Sequence, residues 1–239
     1  MADAKAKELF DMCAGGYDEY LPRFPVYDKV MDIILKNTSI ASGAKVLDVG
    51  VGTGNVSLRI FNMIPCKITG IDVSCEMMKI AGKKAQAIGA DMEFVNVCAS
   101  EIGLEDTFDL AVAAFSIHHL KEDAKAEAFR RIYRSLKGGG RFILADVTVA
   151  VDGDIGSVRR LKHIIDRWSY EAQNALKYIG PRAVDAAFRG MRDVYYRDGE
   201  YVETPLKLKS MLKEAGFKLV RHEKPDEKTG YQVFVCDKV

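Results

Sequence analysis

The chain has 239 residues, of which 48% are hydrophobic and 29% charged, with 35 Lys and Arg against 34 Asp and Glu for a formal net charge of +1. A chain of this size buries roughly three quarters of the surface its unfolded form exposes, so these proportions exclude a disordered, collagen-like or disulfide-dense protein. Near-zero net charge also argues against broad phosphate neutralisation, and hence against a nucleic-acid partner.

The N-terminal stretch MADAKAKELF is charged and lacks an apolar leader core, and no run of about 18 apolar residues occurs anywhere. Five cysteines, Cys13, Cys66, Cys75, Cys98 and Cys236, are widely spaced and form no C-x-x-C pair. They predict reduced thiols in a cytoplasmic protein with no metal site and no integral membrane association.

From residue 44 onward, short β-branched runs alternate with longer amphipathic stretches, the pattern of a mainly parallel sheet in an α/β domain. The first strand is predicted over 44–49, followed by a helix over 55–64 that stops at Pro65. A second strand over 67–72 leads to Ser74, a hydroxyl N-cap for a helix closing at Gly89. The third strand, 93–97, is short. Residues 108–115 are nearly all apolar, as in a strand covered on both faces. A helix is expected over 121–137, ended by Gly138, Gly139 and Gly140, before a fifth strand over 141–146.

Residues 151–203 break this rhythm. Val158, Leu161, Ile165 and Trp168 recur at helical spacing and a second helix is expected from Pro181 to about Met191, so the segment reads as a helical cap after the fifth strand. Its basic and acidic residues balance nine to nine, which makes a poor phosphate surface. Thr204 and Pro205 then open a terminal helix closing at Gly216. Strands over 218–221 and 231–236 complete a Rossmann-like, seven-stranded, mostly parallel sheet with helices on both faces and an antiparallel C-terminal edge. The whole of 1–239 is read as a single domain, with N-terminal helices over 1–43, a core over 44–147, the cap, and the closing helix and strands over 204–239.

The chemistry concentrates in Val46-Leu47-Asp48-Val49-Gly50-Val51-Gly52-Thr53-Gly54-Asn55, where a strand enters a glycine turn that opens a helix. Asp72 lies 24 residues beyond Asp48, at the end of the next strand, where a carboxylate can accept both hydroxyls of a ribose. A dinucleotide site uses G-x-G-x-x-G to seat a pyrophosphate on the helix N-terminus. Here the glycines are spaced Gly50-x-Gly52-x-Gly54 and Asp48 stands just upstream, where its charge repels a pyrophosphate and suits an ammonium or sulfonium. The balance favours S-adenosyl-L-methionine over NAD.

The segments VLDVGVGTGN, ITGIDVSCEMM, FVNVCASE, FDLAVAAFSIHHL and YRSLKGGGRFILADV resemble, in order, the motifs of class I S-adenosylmethionine-dependent methyltransferases. The opening, with Phe10-Asp11, Ala14 and Tyr17-Asp18, is similar to the small-molecule branch that includes the ubiquinone and menaquinone biosynthesis methyltransferases. The resemblance implies that Asp48 and the backbone around Gly50 and Gly52 hold the methionine end of the cofactor, whose product is S-adenosyl-L-homocysteine, and that Val51 and Asn55 are also cofactor-binding. It places Asp72 on the ribose, Val73 and Met77 on the adenine, and Cys98 and Ala99 at the adenine edge. Phe115 and Ser116 present backbone near the methionyl amine, and Tyr17 closes over the site, unless it is simply a core aromatic. Many relatives carry Asp where this chain has Cys98, and a thiol is a weak acceptor.

Methyl transfer from a sulfonium needs positioning and exclusion of water, and a base only when the acceptor arrives protonated. His118 and His119, just past the fourth strand, are the candidates. Neither N/D-P-P-Y/F nor a Pro-Cys nucleophile, the signatures of nucleic-acid methyltransferases, follows that strand. The expected acceptor is a small molecule taking the methyl on O, N, C or S. A protein acceptor, and a cofactor-binding partner subunit without activity, stand as alternatives, and the oligomeric state is open to a homodimer.

Overall fold

The computed structural model describes residues 4–20, 25–150, 157–178, 180–196, 201–227 and 229–239. Seven strands, β1 (Lys45–Val49), β2 (Lys67–Ile71), β3 (Met92–Val95), β4 (Phe108–Ala114), β5 (Leu136–Val147), β6 (Phe217–Glu223) and β7 (Tyr231–Lys238), form one sheet in the order β3-β2-β1-β4-β5-β7-β6. The first five pair in parallel, whereas β7 runs antiparallel to both β5 and β6. The C-terminal pair thus supplies the antiparallel edge, with β7 inside it and β6 outermost.

Side-chain alternation along the central strands shows why helices cover both faces. Leu110, Val112, Ile143 and Ala145 join a core with Val30 and Ile34 of α3 (Pro25–Asn37) and Val56 and Ile60 of α4 (Asn55–Met63). Their neighbours Ala111, Ala113, Phe142 and Leu144 face Phe129 and Ile132 of α6 (Glu122–Ser135) and Leu208 and Leu212 of α9 (Pro205–Glu214). The caps form as the local sequence demands. Ser74 Oγ accepts from the Met77 N–H at 3.2 Å to start α5 (Cys75–Ile88), which ends at Gly89 with φ +67°. Thr204 Oγ1 likewise accepts from the Lys207 N–H ahead of Pro205.

The boundary between α6 and β5 differs most from the expected one. The helix expected to run to Lys137 stops at Ser135, and β5 begins at Leu136, passing straight through the glycines that were expected to break the chain. Fully buried Leu136 pairs with Phe108, and the register to β4 shifts between Phe108 and Leu110. A side chain on Gly140 would sit 2.9 Å from the Lys137 carbonyl oxygen, so the run serves an irregular strand start rather than a helix stop.

The cap follows β5 as α7 (Val158–Tyr178) and α8 (Pro181–Tyr196); of its expected span, 151–156, 179 and 197–200 lie outside the described residues. The second cap helix extends beyond Met191 because Val194, 1% exposed, reaches a third apolar cluster. That cluster joins Ile164, Trp168 and Val202 to Val147 and Val149 at the end of β5, so Trp168 is packed against the sheet. At the other end of the chain, α1 (Ala4–Cys13), a tight turn over Ala14–Gly16 and α2 (Tyr17–Tyr20) lie over the carboxyl ends of β1 and β2 through Asp11 and Asp18.

Candidate functional site

The turn from β1 into α4 is held by backbone bonds that its glycines make possible. The Gly50 and Val51 N–H groups both donate to the Ile71 carbonyl, at 2.8 and 2.9 Å. Gly50 adopts φ +72°, and a Cβ there would lie 2.3 Å from Ser116 Cβ. The chain after β4 therefore presses directly onto the turn, and Ser116 Oγ–H donates to the Val49 carbonyl at 2.8 Å. The preceding residue, Phe115, takes φ +57°, a strained conformation for a residue with a side chain, costing about 1–3 kcal/mol. Its ring stacks on Tyr27 at 5.9 Å and meets Tyr231 edge-on, which anchors the side chain in the core while its backbone borders the turn.

Asp72, at the end of β2, is oriented from both sides. Its Oδ2 accepts the Gly52 N–H and its Oδ1 the Ser74 N–H, each at 2.8 Å. Burial raises its pKa, with the backbone donors pulling the other way and Asp11 adding to the rise. Asp48 is 2% exposed, and its Oδ2 has no hydrogen-bond partner. Burial, aided by the negative charge of Asp72, pushes its pKa up to about 6 against the partial opposition of Ser57.

These groups border an open cleft at the carboxyl end of the sheet. Gly50, Gly52, Phe115 and Ser116 line one side and Asp72 another, while Val73, Met77, Cys98 and Ala99 form an apolar end. Phe10 and Tyr17 reach over from the N-terminal helices, and His119 lines the same space. An adjoining pocket shares Tyr17, Gly50, Gly52 and Phe115 and extends to Asp48, Val51 and Asn55. All of the cofactor-binding residues named from sequence thus line one or the other space.

Two of the sequence candidates have partners that qualify their roles. Asn55 Nδ2 donates to Asp18 Oδ1 at 2.9 Å and its Oδ1 accepts from Lys84 Nζ at 2.7 Å, so its amide braces the lid. The same Asp18 takes Thr53 Oγ1–H at 2.6 Å and Lys84 Nζ at 2.8 Å. Burial opposes ionisation of Asp18, but these donors outweigh it and lower its pKa. His118 does not line the cleft: its Nδ1 pairs with Asp146 Oδ1 at 2.5 Å, and its N–H donates to Asp146 Oδ2 at 2.9 Å. Asp146 is buried, yet the neighbouring His118 holds its pKa below the ordinary value, helped by the Val147 N–H and Lys125.

Cys98 is 4% exposed and its Sγ accepts Ser100 Oγ–H at 3.3 Å. Among the described residues no group of His, Cys, Asp and Glu could hold a metal ion, and no helix is long and apolar enough to cross a membrane. Sequence reasoning missed Asp18 and Lys84 as parts of the site. The Tyr17-Asp18 pair carried a signal; Lys84, 66 residues away, carried none.

Residues 46–140 match a family described as a methyltransferase domain. The ubiquinone/menaquinone biosynthesis C-methyltransferase of Geotalea daltonii is 32% identical over 151 residues, covering 59% of this chain and 63% of that protein. The match therefore spans a little over three fifths of this curated relative. The demethylmenaquinone methyltransferase of Thermus thermophilus is 29% identical over 184 residues, covering 75% and 76% of the two chains. Among solved structures, the 1,6-didemethyltoxoflavin-N1-methyltransferase of Burkholderia thailandensis, with bound 1,6-didemethyltoxoflavin and S-adenosylhomocysteine, superposes with a TM-score of 0.65 at 19% identity over 99% of this chain and 88% of that one. The fold is thus the Rossmann-like fold of that solved structure.

Proposed function

We propose that this chain is an S-adenosylmethionine-dependent methyltransferase acting on a small molecule in the cytoplasm. The observation that carries the reading is Asp48: a buried carboxylate whose Oδ2 has no protein partner, at the base of a glycine turn bordering a pocket. Such a group disfavours a pyrophosphate and favours a cationic ligand, and the residues around it fit the cofactor. Asp48 would accept the methionyl ammonium, Gly50, Val51 and Gly52 would admit the methionine chain, and Asp72 would take the ribose hydroxyls. Val73 and Met77 would pack on the adenine, Cys98 and Ala99 would border its edge, and the Phe115 and Ser116 backbone would border the amine. Tyr17 would close over it, with Asn55 holding the lid.

When bound, the cofactor supplies an electrophilic methyl group on a sulfonium sulfur. The chain's own task is then to align the acceptor and keep water out, for which the apolar lining and the Phe10 and Tyr17 lid are suited. His119, which lines the cleft, is the histidine we assign to receive a proton from an acceptor that carries one, with His118 behind it. The acceptor is read as a small molecule on the strength of the relatives' names and the apolar cleft.

The test is calorimetric titration of S-adenosylhomocysteine into the wild type and Asp72→Ala. Asp72→Ala should weaken binding by about 100-fold, the loss of about 3 kcal/mol expected for hydrogen bonds to a charged group. No binding to the wild type, or equal affinity for the two proteins, overturns the assignment. Because the Ser100 hydroxyl is tied to Cys98, a cofactor-binding subunit without activity is the second reading. Binding of S-adenosylhomocysteine with no methylation in a broad acceptor screen would favour it.

A further inference from the structure

The cleft-lining imidazole of His119 is held between two rings. Phe10 approaches it edge-on with centroids 5.0 Å apart, and the His118 ring lies 4.0 Å away at a 45° tilt. Behind His118 stands Asp146, a carboxylate 2% exposed at the end of β5, which takes both the backbone N–H and Nδ1 of His118 as well as the Val147 N–H. A carboxylate with this many donors is not filling a strand end for loop reasons. Three bonds commit both of its oxygens, two of them to one histidine.

The same turn is pinned from its other side. The Tyr201 N–H donates to the His118 carbonyl at 2.7 Å, and the Tyr201 carbonyl accepts from Lys125 Nζ at 2.6 Å. Lys125 is 1% exposed and lies 3.6 Å from Glu203 Oε1, itself 4% exposed, while the Glu203 carbonyl accepts the Val149 N–H. The strap that leads from the cap into α9 is thereby fixed across the backbone of His118 on one side and against the end of β5 on the other. Backbone and side chain of His118 are both constrained, by separate elements.

We propose that Asp146 and His118 are a positioning pair for His119: the carboxylate fixes the Nδ1–H tautomer and plane of His118, and the His118 ring sets the orientation in which His119 faces the methyl acceptor. This rests on the proposed function for what His119 does, but the pair itself can be tested without an acceptor. A carboxylate accepts from Nδ1–H only, so it selects one tautomer, whereas an amide in its place can donate to Nδ1 and select the other. Residues that hold a reacting group through a second layer of hydrogen bonds and packing are what keep it within reach of a productive geometry. The inward signal passes by ring contact: His118 and His119 pack face against face at an angle, so rotating one plane displaces the other.

The chain has four histidines, His118, His119, His163 and His222, so histidine-selective nitrogen labelling gives a spectrum simple enough to read. In the wild type His118 should show a protonated Nδ1 bonded to a carboxylate. In Asp146→Asn the imidazole signals of both His118 and His119 should move, those of His163 and His222 should stay, and the rate of His119 acylation by diethylpyrocarbonate should change at least threefold. Unchanged His119 signals and acylation rate in a folded Asp146→Asn protein overturn the proposal, because a purely structural aspartate would leave His119 as it was. If Asp146→Asn does not fold, His118→Asn keeps a donor for Asp146 and removes only the ring. It should change His119 acylation to the same degree, and an unchanged rate overturns the proposal equally. S-adenosylhomocysteine should protect His119 from the reagent in the wild type. Failure to bind at all counts against the proposed function and leaves the outcome of the Asp146 and His118 comparisons readable.

Discussion

Replacing Asp48 with Asn should make the ligand-free protein relatively more stable as the pH rises. Asp48 has its pKa raised from 3.8 to about 6, mainly by burial. The folded state therefore holds this proton to a higher pH than the unfolded chain does. Between those two values the folded state binds more protons, so the Asp48 contribution to stability is present at low pH and lost as pH rises through about 6. A displacement of about two units corresponds to about 3 kcal/mol, which the wild type forfeits on going from pH 4 to pH 8 and Asp48→Asn does not. The amide adds its own cost of about 1–3 kcal/mol if its donors go unpaired, but that offset does not vary with pH. The informative quantity is thus the pH dependence of the difference between the two proteins in urea unfolding. It should grow by about 3 kcal/mol from pH 4 to pH 8, or about 6–12 °C in Tm for a chain of this length. The gain comes at the expense of binding. Losing the partner of a buried ammonium should weaken S-adenosylhomocysteine at least about 30-fold, and wild-type affinity should fall as the pH drops below about 6. A difference in unfolding free energy that is flat from pH 4 to pH 8 would refute the claim that burial raises the pKa of Asp48.

Gly50→Ala combines a left-handed backbone with a Cβ 2.3 Å from Ser116, and should cost about 2 kcal/mol or more in urea unfolding; a Tm within 1 °C of wild type would contradict the close approach. Lys125→Met removes the buried cation 3.6 Å from the buried Glu203 carboxylate and should cost about 3–5 kcal/mol, while Lys125→Met with Glu203→Leu should recover most of it. Equal losses in the single and double variants would show that the pair matters only through packing. Asp18→Asn weakens the bonds from Lys84, Thr53 and Asn55, so hydrogen exchange over residues 4–20 should accelerate at pH 7 and S-adenosylhomocysteine should dissociate several-fold faster. Unchanged exchange there would mean that other contacts hold the lid.

The parts of the molecule legible in the sequence are those governed by neighbours along the chain. Alternating apolar runs mark β1, β2 and β4, Ser74 and Gly89 cap α5, and the Gly50, Gly52 and Gly54 turn followed by Asp72 marks the site, because periodicity, caps and positive φ are local properties. Local signals also misled: three consecutive glycines predict a stop, yet Leu136 gained a buried place opposite Phe108, and the strand extended backward through them. The helical spacing of Val158, Leu161, Ile165 and Trp168 did not say what the cap packs on, and Ile164 and Trp168 prove to pack on Val147 and Val149.

Two adjacent histidines are indistinguishable by spacing alone. Only the tertiary structure turned His118 onto Asp146, 28 residues away, and left His119 lining the cleft. The same holds for Lys84, which reaches Asp18 across 66 residues of chain. By itself the sequence determined the order of strands and helices, the glycine turn and the two carboxylates beside it, since periodicity, caps and turn residues are local signals. Which polar groups are paired, which histidine meets the cavity and which carboxylate is left buried with an oxygen lacking a partner depend on how distant segments pack, and only the tertiary structure decided them.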